Sequence, residues 1–220
     1  MEKQKIYASH EVKTVRAFYQ DLIRDFPPKG KIIDWLTDMT EHFWRAYQMA
    51  DPHITVQVSN FHPPLIGASK ESIFAAALSR SDFEAIILAE YGYISWQEIK
   101  EKKSFDEVFE RAVDCVVRGR VFELGQLLDQ NPGLIDQKSQ FGHEASLIHY
   151  VAANGVELWR QLVPANAAEI LKLLLVKGAN PGPNNRLMGG TSLLSLIETS
   201  EHLMMAGISD ELLEILEAYG

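Results

Sequence analysis

The sequence predicts an all-α protein in which a helical repeat array follows an N-terminal helical module. Two observations predict this fold. Apolar residues recur at intervals of three and four along most of the 220 residues, which is the spacing of an amphipathic helix. The C-terminal half also repeats one pattern, a helix followed by a second helix that ends at glycine. We therefore predict an N-terminal module over residues 1–103 that caps about three degenerate repeats over residues 104–220.

The N-terminal module is predicted to begin with two long helices and to continue with short ones. Helical spacing is kept over residues 12–26 and again over residues 32–47, and prolines follow each segment. Ile54–Val58 alternates like a strand, but no second strand lies near it, so we assign it to a helix or loop. Three serines stand three residues before a glutamate, a pattern that caps a helix start. These pairs are Ser81 and Glu84, Ser95 and Glu98, and Ser104 and Glu107.

Three helix pairs are predicted in the C-terminal half, over residues 108–133, 146–178 and 191–220. The second and third pairs carry inserted stretches between their two helices, Val156–Asn166 and Ser200–Gly207. Because stacked repeats hold equivalent positions on one face, we expect the two insertions to pack against each other. In the central pair, three residues are expected in the core between repeats: Ile170, Leu173 and Leu174.

The central pair carries a family resemblance. Ser146-Leu-Ile-His149-Tyr-Val-Ala-Ala-Asn-Gly155, with Gly178-Ala-Asn180 downstream, resembles the ankyrin-repeat signature, with serine and leucine where the family has threonine and proline. The stretch from His62 to Ile99 and the central pair together are similar to bacterial ankyrin proteins that carry a helical module ahead of the repeats. The resemblance implies a fold, a helical repeat solenoid, more than an activity. It also implies that His149 is structural and hydrogen-bonds the backbone of a neighbouring repeat.

Composition, charge and the lack of enzyme motifs argue against several classes of function. The 21 basic and 30 acidic residues give a net charge of −9, which argues against nucleic acid and anionic membrane as partners. The single cysteine, Cys115, lies on an apolar helix face and is expected in the core of a protein from a reducing compartment. The start of the chain lacks the apolar core of a signal peptide, and we predict a cytoplasmic protein. His143-Glu144 and His149 lack metalloprotease spacing, and no other enzyme motif occurs, so we expect no enzyme, metal or cofactor.

The function that these observations favour is non-enzymatic recognition of a protein partner through the repeat surface and its insertions. Tryptophan and arginine are frequent at binding hot spots, and methionine adapts to irregular partners. The alternative for Trp159 is a wedge that closes the insertion onto Leu162 or the methionines, with Arg160 paired to a carboxylate. The partner-binding candidates are Tyr150, Asn154, Trp159, Arg160, Asn166, His202, Met204 and Met205.

A second hypothesis belongs to another class, a small-ligand-binding or hydrolytic protein with a pocket between the insertions and the N-terminal module. This hypothesis requires His149, Tyr150, Arg160 and Asn166 to converge on a concave site of a few hundred cubic ångströms. A nucleic-acid regulator is disfavoured by the acidic charge and by the lack of a basic helix. The identity of the protein partner and the oligomeric state are left unassigned.

Overall fold

The computed structural model describes residues 5–102, 104–184 and 186–219. The protein is mostly helical, as predicted, with 64% helix and 3% strand. Among the described residues, no helix is both long enough and apolar enough to cross a membrane. The chain forms two compact units, one of residues 13–105 and the other of residues 1–12 and 106–220.

The unit of residues 13–105 is built around one long helix, α3. Its α-helices are α1 (His10–Tyr19, which begins just before the unit), α2 (Asp21–Arg24), α3 (Ile32–Gln48), α4 (Ile54–Phe61), α5 (Lys70–Ala75), α6 (Arg80–Tyr91) and α7 (Trp96–Glu101), and it also has a 3-10 helix, Pro63–Leu65. Helix α3 packs against α4, α6 and α7. Leu36, Met39 and Phe43 of its apolar stripe are completely buried. The alternating segment Ile54–Val58 lies in α4, so it is helical.

The first predicted helix is interrupted in the structure. Helix α1 ends at Tyr19, and Gln20 adopts a positive φ of 24° before α2 begins. No glycine or proline within residues 12–26 signals this break. The indole Nε1 of Trp35 donates to the carbonyl of Leu22 at 2.9 Å, a tertiary contact that helical spacing does not encode.

One of the three predicted serine caps is confirmed, and two helices begin at other caps. Ser95 accepts a hydrogen bond from the backbone N–H of Glu98 at 3.3 Å and caps α7. The capping box of α6 is formed by Ser79 and Asp82, slightly upstream of the predicted serine. The helix after α7 is capped by Asp106, whose carboxylate accepts from two backbone amides at 3.0 Å. A carboxylate at this position accepts hydrogen bonds from the free amides of the first turn, and its negative charge is favoured at the N-terminal end of a helix.

The second unit is also mainly helical. Its α-helices are α8 (Glu107–Val117), α9 (Val121–Gln130), α10 (Ala167–Val176), α11 (Leu193–Glu198), α12 (Glu201–Ala206) and α13 (Ser209–Tyr219). Its 3-10 helices are Pro132–Ile135, Leu147–Ala152, Leu158–Arg160 and Leu187–Gly189. Strand β1 (Ile6–Tyr7) pairs antiparallel with β2 (Val163–Pro164), and Ile6 lies opposite Pro164. The N-terminal segment is therefore attached to the first insertion.

Helices of the second unit contact one another in two rows. In one row, α8 contacts the 3-10 helix Leu147–Ala152, which in turn contacts α11; in the other, α9 contacts α10, and α10 contacts α13. Ile170 and Leu174 are buried as predicted, whereas Leu173 is only partly buried. Cys115 is fully buried in α8, also as predicted, and burial raises the pKa of its thiol to about 12.

Gly119, in the turn between α8 and α9, occupies a position that a larger residue would disturb. Its φ is +68°, and an added Cβ would lie 2.8 Å from Pro164 Cβ and even closer to Asn166 Oδ1. We expect Gly119→Ala to lower the free energy of unfolding by more than the ~1–2 kcal/mol of left-handed strain alone, because the Cβ also displaces the first insertion. Urea unfolding measures this loss. Gly178→Ala is the matched control, since Gly178 has φ +92° and open space around it. Equal losses would contradict the steric argument.

Candidate functional site

Three of the predicted partner-binding residues lie inside the protein. Tyr150, Trp159 and Arg160 are only 1%, 5% and 3% exposed. The prediction that these side chains are presented to a partner is therefore wrong. The physical reason is that the first insertion folds back onto the core, and every residue of its 3-10 helix Leu158–Arg160 is buried. The alternative interpretation, a buried wedge with a paired arginine, fits these positions.

Arg160 is the centre of a buried charge cluster. Its Nη2 lies 2.6 Å from Glu110 Oε2, and its Nη1 lies 3.2 Å from Glu157 Oε1. His143 Nε2 is 3.4 Å from the other carboxylate oxygen of Glu157, and the Tyr150 hydroxyl donates to Glu157 at 3.4 Å. The side chains of Glu110 and Glu157 are 1% and 0% exposed. Two carboxylates, a guanidinium, an imidazole and a phenol thus share a volume shielded from bulk water.

Four separate parts of the chain supply the cluster, and one of them is the 3-10 helix Leu147–Ala152, which carries Tyr150. Glu110 lies on the buried face of α8, and Glu157 and Arg160 stand three residues apart in the first insertion. His143 lies in the turn that precedes the central helix pair. Its Nδ1 accepts a hydrogen bond from the backbone N–H of Ala145 at 3.0 Å. A neutral ring that accepts at Nδ1 carries its proton on Nε2, the nitrogen that faces Glu157.

The charges in the cluster are unequally stabilised. Burial raises the pKa of Glu110 above its usual range, although Arg160 opposes this shift. Burial acts in the same direction on Glu157, but Arg160 and His143 outweigh it, so the pKa of Glu157 is lowered. The two carboxylates outweigh the effect of burial on Arg160 and raise its pKa. Both carboxylates lie within ion-pair distance of Arg160, and the charged form of Glu157 is the better stabilised of the two. Since every member is buried, the cluster braces the insertion and offers no atom to a ligand.

The two asparagine candidates hold the first insertion against its neighbours. Asn154 Nδ2 donates to the Leu196 carbonyl and to Thr199 Oγ1, both at 3.1 Å. Asn166 Nδ2 donates to the Gly119 carbonyl at 3.0 Å. These bonds connect the segment just before the insertion to the third helix pair, and the end of the insertion to the first helix pair. Both side chains therefore support the surface formed by the insertions.

The two insertions contact each other, as predicted. His202 Nε2 lies 2.8 Å from Gln161 Oε1, and α12 packs against β2. Burial lowers the pKa of His202, so its ring is neutral at pH 7 and Nε2 can donate this hydrogen bond. Met204 and Met205 remain 64% and 69% exposed on α12. That this surface binds a partner stays a prediction.

Comparison with known proteins does not name a ligand for this surface. No protein-family model, curated protein or solved structure matches the chain.

The four side chains of the pocket hypothesis do not converge. Tyr150 and Arg160 belong to the buried cluster, and Asn166 bonds to the turn after α8. His149 lies beside a cleft of about 190 Å³, in whose wall the other three take no part. There its Nδ1 is 2.8 Å from Ser146 Oγ. Burial lowers the pKa of His149, partly opposed by the backbone of Gly182.

A larger cleft of about 480 Å³ lies within the unit of residues 13–105. On its wall, His53 Nδ1 is 2.6 Å from Asp51 Oδ1, and His42 Nε2 is 3.1 Å from the Phe18 carbonyl. The Asp51 carboxylate orients the His53 ring, but this pair stands in an exposed turn and does not by itself specify a reaction. Within the described parts of the chain, no group of three or more His, Cys, Asp or Glu side chains could hold a metal ion.

Sequence reasoning missed the residues that pair with Arg160. One signal was present, since Glu110 lies one helical turn before Val113 on the apolar face of α8, where a buried charge requires a partner. Glu157 also precedes Arg160 by three residues, a spacing that allows side-chain contact in a helical turn. No local pattern connects Glu110 with Arg160, because 50 residues separate them and only the tertiary fold brings them together.

Proposed function

We propose that this protein is a non-enzymatic protein-binding module whose contact surface is formed by the two joined insertions. The observation that carries the proposal is the exposure of Met204 and Met205 on a helix whose Leu203 is fully buried. Two adjacent exposed methionines form an adaptable apolar surface. The His202 to Gln161 hydrogen bond joins the two insertions, and the ion pair of Arg160 with Glu110 fixes the first insertion to α8. A surface preformed in this way loses little conformational freedom on binding.

We propose further that the second unit is an ankyrin-like helical repeat solenoid. The two rows of helix contacts support this, because stacked repeats contact their immediate neighbours in each row. Two turns are also equivalent. Lys138 and Ser146 form a backbone bridge before the central pair, and the Asn184 N–H donates to the Thr191 carbonyl at 3.3 Å before the last pair.

The proposed function predicts that protein capture depends on the two methionines. We expect the double variant Met204→Asp, Met205→Asp to retain at most a tenth of the partner that the wild-type protein captures from a lysate of its native cells. Aspartate removes the apolar contact and adds charges that a protein interface must desolvate. Quantitative mass spectrometry of the captured proteins measures the loss.

A matched control separates this effect from general surface change. Phe122 and Val176 are 79% and 80% exposed on α9 and α10, so Phe122→Asp, Val176→Asp makes the same chemical change elsewhere in the unit. This variant should capture the partner normally, and both variants should unfold within ~0.5 kcal/mol of wild type. Equal capture by the two variants would contradict the proposed surface.

A further inference from the structure

The C-terminal end of the second unit carries charge of a single sign. Residues 187–220 contain six acidic residues and neither lysine nor arginine. All six side chains are exposed, and within the described residues none of them forms an ion pair with a basic side chain. They are Glu198, Glu201, Asp210, Glu211, Glu214 and Glu217. The carboxylates that a partner would meet here are therefore available for new ion pairs.

Helix α12 and the start of α13 combine this charge with apolar surface. Glu201 precedes Met204 and Met205 by three and four residues, so the three side chains share one face of α12. Ile208, which is partly exposed, follows α12, and two carboxylates lie in the first turn of α13. We call this surface the acidic methionine patch. It consists of Glu201, Met204, Met205, Ile208, Asp210 and Glu211.

We propose that the acidic methionine patch docks a cationic amphipathic helix of the partner protein. This inference rests on the proposed function and specifies the class of its partner. The apolar face of such a helix would cover the two methionines, while its lysines and arginines would meet the carboxylates around them. Methionine suits this role because its flexible thioether side chain packs against varied apolar side chains.

Charge complementarity selects this occupant among the alternatives. A second copy of the chain would present the same six carboxylates, and like charges across an interface repel each other. Nucleic acid and anionic lipid would be repelled for the same reason. A helix with lysine or arginine beside its apolar face matches both properties of the patch.

The test is fluorescence anisotropy of the full chain with three designed peptides of equal length. The first peptide forms a helix with leucine on one face and lysine on the other. The second has glutamate in place of lysine. The third contains the residues of the first in an order that gives no apolar face. We expect only the first peptide to bind, and its affinity should fall as the ionic strength rises because salt screens exposed charges.

Two variants separate docking from general attraction to an acidic protein. Met204→Asp, Met205→Asp adds negative charge, which by itself would strengthen attraction of a cationic peptide, so weaker binding can arise only from the lost apolar contact. We expect its affinity to be about tenfold lower than that of wild type. Phe122→Asp, Val176→Asp adds the same charge elsewhere and should keep wild-type affinity or exceed it. Sedimentation of the wild-type protein should show no self-association through the patch.

The outcomes distinguish this inference from the proposed function. The cationic helix is overturned as the occupant if the first peptide fails to bind, if the third binds equally well, or if the two aspartate variants bind alike. If lysate capture nevertheless depends on the methionines, the proposed function stands with a partner of other chemistry. If capture is also insensitive to the methionines, both proposals fail.

Discussion

Arg160→Met should lower the free energy of unfolding by about 3–5 kcal/mol, because it leaves two buried carboxylates without their cation. Arg160 is the basic side chain that contacts both Glu110 and Glu157, at 2.6 and 3.2 Å. Methionine fills a similar volume and keeps the apolar stem, so the loss reports the charge and not a cavity. Urea unfolding at pH 7 measures it. A change below about 1 kcal/mol would mean that water or a rearrangement neutralises the carboxylates.

Two controls make this result specific. Arg111 also pairs with a glutamate, Glu123, but its side chain is 61% exposed, so Arg111→Met should cost no more than about 1 kcal/mol. Combining Arg160→Met with Glu110→Leu and Glu157→Leu removes all three charges. This triple variant should recover much of the lost stability, because apolar groups of similar volume can replace a buried ion cluster at little cost.

The loss in Arg160→Met should also depend on pH. Burial disfavours the ionised form, so without Arg160 both carboxylates should have pKa values above those of the unfolded chain. The folded variant then binds more protons than the unfolded variant in mildly acidic solution, and its stability falls as the pH rises. We therefore expect a smaller difference from wild type near about pH 5 than near about pH 8. An equal difference at both pH values would contradict the assignment of the loss to ionised carboxylates.

The sequence predicts the features of the fold that neighbouring residues determine. It does not predict those that depend on packing against distant parts of the chain. The spacing over residues 32–47 predicts α3 within a residue of its bounds, because an apolar stripe and its ends are local properties. The serine cap at Ser95 is local for the same reason. The break at Gln20 and the 3-10 form of Leu147–Ala152 have no local signal. Packing against other parts of the chain determines them.

The features of the candidate site also fall into those that the sequence pattern predicts and those that only the tertiary fold determines. Repeat geometry predicts that the two insertions meet, because equivalent positions in adjacent repeats are neighbours. Which side chains of an insertion face outward depends on what the core offers them. Arg160 pairs with the buried carboxylate of Glu110, and both Trp159 and Arg160 are buried. Met204 and Met205 have no such partner in the core and stay exposed. Residue type alone therefore favoured the wrong hot-spot residues.

Trp159→Ala should destabilise the protein by ~3–5 kcal/mol, the loss typical of a buried aromatic side chain replaced by alanine. The Trp159 ring is 5% exposed and lies 4.6 Å from the Arg160 guanidinium carbon, so it covers the charge cluster as well as filling the core. A cation over an indole face at this distance is itself attractive. Thermal and urea unfolding measure the loss. Phe122→Ala is the matched control, since Phe122 is 79% exposed and should change stability by less than ~0.5 kcal/mol.

Trp159→Ala also distinguishes a side chain that only supports the insertions from side chains that contact the partner. At a temperature where Trp159→Ala is still folded, it should capture the partner, because the indole is not part of the exposed surface. Met204→Asp, Met205→Asp should behave in the opposite way, with normal stability and lost capture. If Trp159→Ala abolished capture without a change in unfolding, the indole would have to become exposed when the partner binds, and the first insertion would be a moving element instead of a fixed support.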